Sequence, residues 1–201
     1  NRPNVHLVDT DGRGVERISE RGVVVNGTEF ELDCIIYASG FEVGTDFEKR
    51  WGFDPVGTGR RLLSEAWAEG MSTLHGMHVN GFPNMFIIGP AQAANLISNI
   101  PHNLVEAGRT VAAIVAEAER RGAGTVEVTA EAERAWVELL ESGGRTFGGD
   151  PSCTPGYYNN EGRPIEGAAR GMLGYPAGPV EYFRYIAAWR ESGEFAGLVF
   201  D

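Results

Sequence analysis

The segment from Gly89 to Pro101 reads GPAQAANLISNIP, an order of small, polar and helix-starting residues that suits the binding of an anion or an electron-rich carbonyl. Ser98 or Asn99 can cap a helix, and Pro101 is favoured in a first helical turn. A helix N-terminus presents unpaired backbone N–H groups and a partial positive charge. The segment can therefore face a cofactor oxygen, although a strand–loop–helix connection without a ligand fits these residues as well.

A second stretch, Asp33–Phe41, reads DCIIYASGF. Its apolar run Cys34–Tyr37 predicts a strand covered on both faces. The small residues that follow it, Ala38, Ser39 and Gly40, would let the backbone approach a ligand closely. A strand–loop connection without a ligand is again the alternative.

Other chemistries receive little support from the sequence. The two G-x-G starts, Gly12–Gly14 and Gly57–Gly59, lack a third glycine at the dinucleotide-binding spacing and do not join a strand to a helix. His75 and His78 have no third ligand near them and are interpreted as ordinary polar side chains in a loop. A Ser-His-Asp or Cys-His arrangement stays open, without a G-x-S-x-G motif. We assign no catalytic residue and no metal ligand.

The first part of the chain reads as strands and turns. Val5–Val8 predicts a short strand, and Val23–Val25 with Thr28–Leu32 predicts a hairpin around Asn26–Gly27. Residues 42–80 are rich in Gly and Pro and predict mostly loop, with a short helical turn at Ser64–Glu69.

The remainder predicts one more strand and three helices. Met85–Ile88 is a short apolar run and predicts a second buried strand. Helices are expected from about Pro101 to Gly122, from a Thr129 cap to Gly143, and over about 180–191, before a strand at Leu198–Phe200. Residues 143–179 predict an ordered, contact-making loop. The residues expected on the apolar faces of the first two helices are Leu104, Ala107, Val111, Ile114, Val115 and Ala118, then Ala132, Ala135, Trp136, Leu139 and Leu140.

Charge and composition favour a protein of the cytoplasm. The net charge of -11 over 201 residues argues against nucleic acid or an anionic membrane as a partner. No apolar run approaches the roughly 20 residues that a membrane span needs. The two cysteines, Cys34 and Cys153, are predicted to be reduced thiols.

An ordered set of motifs resembles the C-terminal part of Baeyer–Villiger flavoprotein monooxygenases. Ala38-Ser39-Gly40 stands where the family usually has Ala-Thr-Gly. The other motifs, in order, are Asn1–Asp9, Gly22–Val23, Leu32–Asp33, Tyr37–Phe41, Gly81–Phe86, Gly89–Pro90, Ser98–Pro101, Trp136 and Gly197–Phe200.

The resemblance implies an α/β fold. It would be an incomplete, three-layer, Rossmann-like portion of an FAD-binding domain, with a β-hairpin segment and C-terminal helices. Its parts would be a β-rich segment at 1–41, a loop-rich segment at 42–80, a strand–loop–helix segment facing the flavin at 81–122, and helices with a substrate- or NADP-side loop at 123–201.

The resemblance also implies an enzyme that uses FAD and NADPH to insert one oxygen beside a ketone carbonyl, giving an ester or lactone. The cofactor-binding residues carried over are Ala38, Ser39, Gly40, Gly89, Pro90, Ser98, Asn99 and Ile100. The backbone N–H at Ile100 would face a flavin carbonyl.

The loop after Ser152 departs from the better-known members of the family, which carry a tryptophan where this chain has Cys153. The stretch is similar to the branch that acts on bulky or large-ring ketones. Tyr157, Tyr158 and Asn160 are predicted to replace that tryptophan on the substrate or NADP side.

The family's glycine-rich loops and an arginine of its active site lie in an earlier part of the family's chain. We therefore expect this chain to be a C-terminal fragment, to bind no cofactor alone, to lack activity, and to partner the missing N-terminal half or self-associate. The alternatives are a fragment of an N- or S-oxygenating flavin monooxygenase and a non-catalytic binding or scaffolding domain.

Overall fold

The computed structural model describes residues 2–38, 51–89, 91–94, 98–143 and 173–201. The chain forms two compact units, one of residues 1–43 with 150–163 and one of residues 44–149 with 164–201. Across the described ranges, no helix has the length and apolar character to cross a membrane. The domain boundaries expected from the sequence stay a prediction.

The first unit contains a three-stranded antiparallel sheet of β1 (Arg17–Ile18), β2 (Gly22–Val25) and β3 (Thr28–Glu31). Asn26 and Gly27 join β2 to β3 with φ of 49° and 74°. Positive φ at both central residues defines a type I′ turn, whose twist matches the flanking strands. The predicted hairpin is therefore confirmed.

Two strands predicted in the first unit are absent. Val5–Val8 and Cys34–Tyr37 both lie outside any strand, and Leu7 and Ile36 are 99% and 85% exposed. Cys34 is an exposed free thiol, not a buried one. An apolar pattern makes a strand only where another strand pairs with its backbone, and residues 2–38 supply no partner for either run.

The described residues of the second unit form four α-helices, a short 3-10 helix at Thr58–Arg60 and a second sheet. The helices are α1 (Leu63–Ala66), α2 (Ile100–Arg121), α3 (Ala130–Ser142) and α4 (Pro179–Glu191). The sheet pairs β4 (Val126–Val128) with β5 (Leu198–Phe200), antiparallel and with Val126 opposite Phe200. The predicted β5 is confirmed, whereas β4 was not predicted.

Capping residues set the ends of the long helices as predicted. The Asn99 side chain accepts the His102 N–H at 3.1 Å, and Gly122 ends α2 with φ of 68°. The Thr129 hydroxyl accepts the Ala132 N–H at 3.2 Å at the start of α3. Each cap satisfies backbone groups that a helix end leaves unpaired.

The core of the second unit lies between α2, α3 and α4. Its buried residues on these helices include Ile114, Trp136, Leu140, Ile186 and Trp189. Four residues predicted on apolar helix faces are instead exposed, namely Leu104 and Val115 on α2 and Ala135 and Leu139 on α3. The buried face of α2 carries polar residues in place of the first two.

The stretch Met85–Ile88 is not a strand. Ile88 is 52% exposed, and Ile87 donates a backbone hydrogen bond to Met77 at 2.9 Å. A single backbone contact of this kind is not a ladder. Every strand pair in the described residues is antiparallel, so the α/β class is confirmed at a coarse level only.

Candidate functional site

The N-terminus of α2 brings three of the predicted cofactor residues together: Ser98, Asn99 and Ile100. Pro101 has no N–H, and Asn99 binds that of His102, so the Ile100 N–H is left without a partner inside the helix. The first turn carries no acidic residue. Nothing in that turn therefore neutralises the partial positive charge of the helix end.

Asn103 ties this helix start together. It is 4% exposed, and its amide nitrogen donates to Ser98 Oγ at 2.7 Å. The Ser98 side chain just before the helix is thereby bound to the start of the helix. The sequence pattern did not find Asn103, because a polar residue on a helix gives no sign that its face is buried.

A charged network fastens α2 to α4. Glu106 is 7% exposed, and it accepts from Arg109 at 2.6 Å and from both terminal nitrogens of Arg190 at 3.3 Å. Arg190 also donates to the Thr110 hydroxyl at 3.1 Å. Burial acts to raise the pKa of Glu106, but the hydrogen bonds and charges of the two arginines outweigh it and lower that pKa.

A buried turn, Ala91–Ala94, precedes α2 in the chain. Gln92 is fully buried and has a left-handed φ of 52°. Ala93 and Ala94 are also buried. The turn is thus part of the protein interior, which the composition of the segment did not indicate.

His75 and His78 lie in a loop, as predicted, and both are buried, which the sequence did not indicate. His75 has a φ of 58°, contacts the edges of Trp136 and Trp189, and its Nε2 lies 2.9 Å from the Tyr185 hydroxyl. Burial lowers the pKa of both rings, to about 4 for His78. Both are neutral at pH 7, and no group of three or more metal-ligating side chains occurs among the residues that the structure describes.

The remaining predicted site residues are only partly described. Ala38 is exposed in the first unit, and Gly89 is half-buried in a bend of the second. Seven other predicted site residues lie outside the described residues: Ser39, Gly40, Pro90, Cys153, Tyr157, Tyr158 and Asn160. Their assignments stay predictions.

Comparison with known proteins gives close relatives over nearly the whole chain. Pentalenolactone D synthase of Streptomyces exfoliatus is 46% identical over 201 residues, 98% of this chain and 34% of that protein. A Baeyer–Villiger monooxygenase of Streptomyces coelicolor is 44% identical over 194 residues, 95% of this chain and 31% of that protein. No family model matches the chain.

The fold matches as well. Polycyclic ketone monooxygenase from the thermophilic fungus Thermothelomyces thermophila superposes with a TM-score of 0.84 at 33% identity, over 100% of this chain and 33% of that one. The names of two further matches include cofactors. They are an FAD-binding monooxygenase of Hypomyces subiculosus at 41% identity (98% of this chain, 33% of that protein), and a steroid monooxygenase bound to NADP at 29% identity and a TM-score of 0.76 (100% of this chain, 36% of that one).

These matches give the class of protein: the chain is homologous to part of the flavin-dependent monooxygenases. More narrowly, it is homologous to a region of the Baeyer–Villiger monooxygenases, which confirms the resemblance seen in the sequence. The chain spans about a third of the length of the relatives that it matches.

The described residues fit a flavin at one point. A flavin presents electron-rich ring carbonyls, and the α2 N-terminus offers the Ile100 N–H with no helical partner and no carboxylate in the first turn. Asn99 fixes the geometry of that turn.

Proposed function

We propose that this chain forms the C-terminal part of an FAD- and NADPH-dependent Baeyer–Villiger monooxygenase that acts on bulky ketones. The observation that carries the proposal is the identity of 44% with a protein of that name over 95% of the chain. The match to a polycyclic ketone monooxygenase supports a bulky substrate.

The reaction would consume one ketone, one O2, one NADPH and one proton. It would yield an ester or lactone, NADP+ and water, with one oxygen atom entering between the carbonyl carbon and its neighbour. The bound FAD would supply the redox chemistry between NADPH and O2.

This chain's own contribution would be to bind and polarise the flavin from one side. The Ile100 N–H would donate to a ring carbonyl, and the α2 dipole would stabilise negative charge on that ring. Asn99 and Ser98 would orient the donor through the contacts described above. The Ala38–Gly40 turn and the residues Cys153, Tyr157, Tyr158 and Asn160 would complete the cofactor and substrate sides.

The relatives' names favour neither N- or S-oxygenation nor a non-catalytic scaffold. The test is to purify the full-length protein that carries this sequence and record its flavin absorbance. NADPH consumption is then measured with polycyclic ketones, amines and sulfides, with product analysis. We expect bound FAD and NADPH use coupled to lactone or ester formation from the ketones alone.

A full-length protein without flavin, or one that oxygenates only amines or sulfides, would contradict the proposal. A parallel titration of the 201-residue chain alone with FAD tests whether this chain binds the cofactor without the rest of the protein. The expected result is no retention, because this chain would form only one side of the flavin site.

A further inference from the structure

The conformation of Gln92 is held by its surroundings and not by its own preference. A left-handed φ in a residue other than Gly or Asn is uncommon and persists only where neighbouring structure imposes it. Gln92 adopts it at zero exposure. The contacts that impose this conformation therefore show which parts of the protein hold the turn Ala91–Ala94 in place.

The side-chain amide of Gln92 is bound at both ends. Its nitrogen donates to the Met71 carbonyl at 2.8 Å, and its oxygen accepts from the Thr73 hydroxyl at 2.6 Å. Thr73 Oγ1 in turn accepts the Gly76 N–H at 3.0 Å. Since the Met71 carbonyl can only accept, the amide nitrogen must face it, and the amide oxygen is then left to accept from the Thr73 hydroxyl.

The backbone of the turn is held from two further elements. The Trp136 indole N–H, on α3, donates to the Gln92 carbonyl at 3.1 Å in a buried contact. The Tyr175 backbone N–H donates to the Ala93 carbonyl at 3.0 Å. These donors come from parts of the chain far from the turn, so the turn is fixed relative to the core and not only to its neighbours in sequence.

The loop that contains Thr73 also approaches the turn too closely for a side chain. A Cβ on Gly76 would lie 2.3 Å from the Ala91 carbonyl oxygen, and Gly76 has a φ of +75°. The two backbones are therefore in direct contact. The turn has no free direction in which to relax toward this loop.

The turn lies close to the α2 N-terminus along the chain. Ala94 and Ser98 are four residues apart, so their Cα atoms are separated by no more than about 14 Å. Ser98 is itself bound by Asn103 at 2.7 Å, so hydrogen bonds hold the chain on both sides of this interval.

We propose that Gln92 is a positioning residue for the flavin, held in place by Thr73 and by the Trp136 indole. Through the turn Ala91–Ala94 it would set where this part of the chain stands against the flavin ring. The proposal rests on the proposed function. It assigns the positioning role to hydrogen bonds in the protein core, which are not part of the candidate site itself.

The test compares two buried tryptophans, of which only one donates a hydrogen bond to the turn. Trp136→Phe removes the indole donor to Gln92, whereas Trp189→Phe removes an equivalent donor to the Ala196 carbonyl at 3.0 Å. Both rings are at least nine-tenths buried and both contact His75, with centroids at 4.7 and 4.8 Å. Trp136 also stacks on Tyr175 and Tyr185 whereas Trp189 contacts Phe195, so the stability of each variant is measured alongside. Only the first change removes a donor to the turn.

A second pair covers the case in which Trp136→Phe does not fold. Thr73→Val keeps the side-chain shape but removes the hydroxyl, and Thr73→Ser restores it. Thr73 is fully buried, so a loss with valine that serine rescues is due to the hydrogen bonds and not to volume.

All four variants are made in the full-length flavin-loaded protein. The readouts are the flavin absorption spectrum, the midpoint potential, and the Kd for FAD from titration of the apoprotein. For Trp136→Phe and Thr73→Val we expect a shifted spectrum and a Kd raised about fivefold, the scale of one lost hydrogen bond. Trp189→Phe and Thr73→Ser should match the wild type.

The proposal is overturned if Trp136→Phe and Trp189→Phe have the same flavin spectrum, midpoint potential and Kd. Should Trp136→Phe not fold, equality of Thr73→Val with Thr73→Ser overturns it instead. A wild-type protein that binds no FAD refutes the proposed function itself, and is thereby distinguished from a failure of the positioning role.

Discussion

The burial of His78 makes the stability of the second unit depend on pH in a direction that can be worked out. Its ring is 4% exposed, lies edge-on to Phe86 at 5.4 Å, and leaves Nε2 without a hydrogen-bond partner among the described residues. Burial lowers the pKa of His78 from 6.5 to about 4. In the unfolded chain the ring returns to the ordinary value.

Between pH 6.5 and about 4 the unfolded chain binds a proton that the folded protein excludes. The stability that His78 contributes is therefore complete above pH 6.5 and is lost as the pH falls toward 4. At about 1.4 kcal/mol for each pH unit, the loss amounts to about 3 kcal/mol. His75, whose pKa is lowered by burial and by the neighbouring His78, acts in the same direction, and Glu133, whose pKa burial raises, acts in the opposite one.

The assay is urea unfolding followed by tryptophan fluorescence across this pH window. His78→Phe keeps an aromatic ring beside Phe86 but cannot titrate, so it should lose about 3 kcal/mol less than the wild type on acidification. His102→Gln, a change at an exposed histidine of α2, is the matched control and should follow the wild type. Parallel curves for His78→Phe and the wild type would refute the reasoning.

Three further predictions concern stability. Arg190→Met, which takes from Glu106 its partner on α4, should lower the free energy of unfolding by about 2 kcal/mol in urea denaturation. The matched change Arg184→Met breaks only an exposed pair on the same helix and should cost under about 0.5 kcal/mol. Gly27→Ala forces a Cβ into a φ of 74° and should weaken amide-exchange protection of the hairpin by about 1 kcal/mol, with no change if the turn relaxes. Thr129→Ala removes the α3 cap and should lower the free energy of unfolding by about 1 kcal/mol, seen as a lower thermal midpoint, whereas Thr129→Ser should not.

Elements with local signals could be predicted from the sequence. The Asn26–Gly27 turn, the Asn99 and Thr129 caps and the Gly122 stop are each encoded within a few residues, and each occurs in the structure. The same local logic placed Ser98–Ile100 at the start of α2, which is the described part of the candidate site.

Features that depend on distant partners could not be predicted. The burial of Glu106 depends on Arg190, which follows it by 84 residues. The burial of Gln92 depends on Thr73 and on Trp136. Cys34–Tyr37 shows the converse error, because an apolar run predicts burial whether or not a partner strand is present.

The pairing of β4 with β5 has a consequence for synthesis of the protein. Residues 126–128 are translated well before residues 198–200, their only ladder partner in the described structure. At about 5–20 residues per second the delay is roughly 4–14 s. During that interval Val126 and Val128, buried in the finished fold, have no strand to pair with. The nascent chain is thus expected to be most prone to aggregation, and most dependent on chaperones, while α4 is still being made.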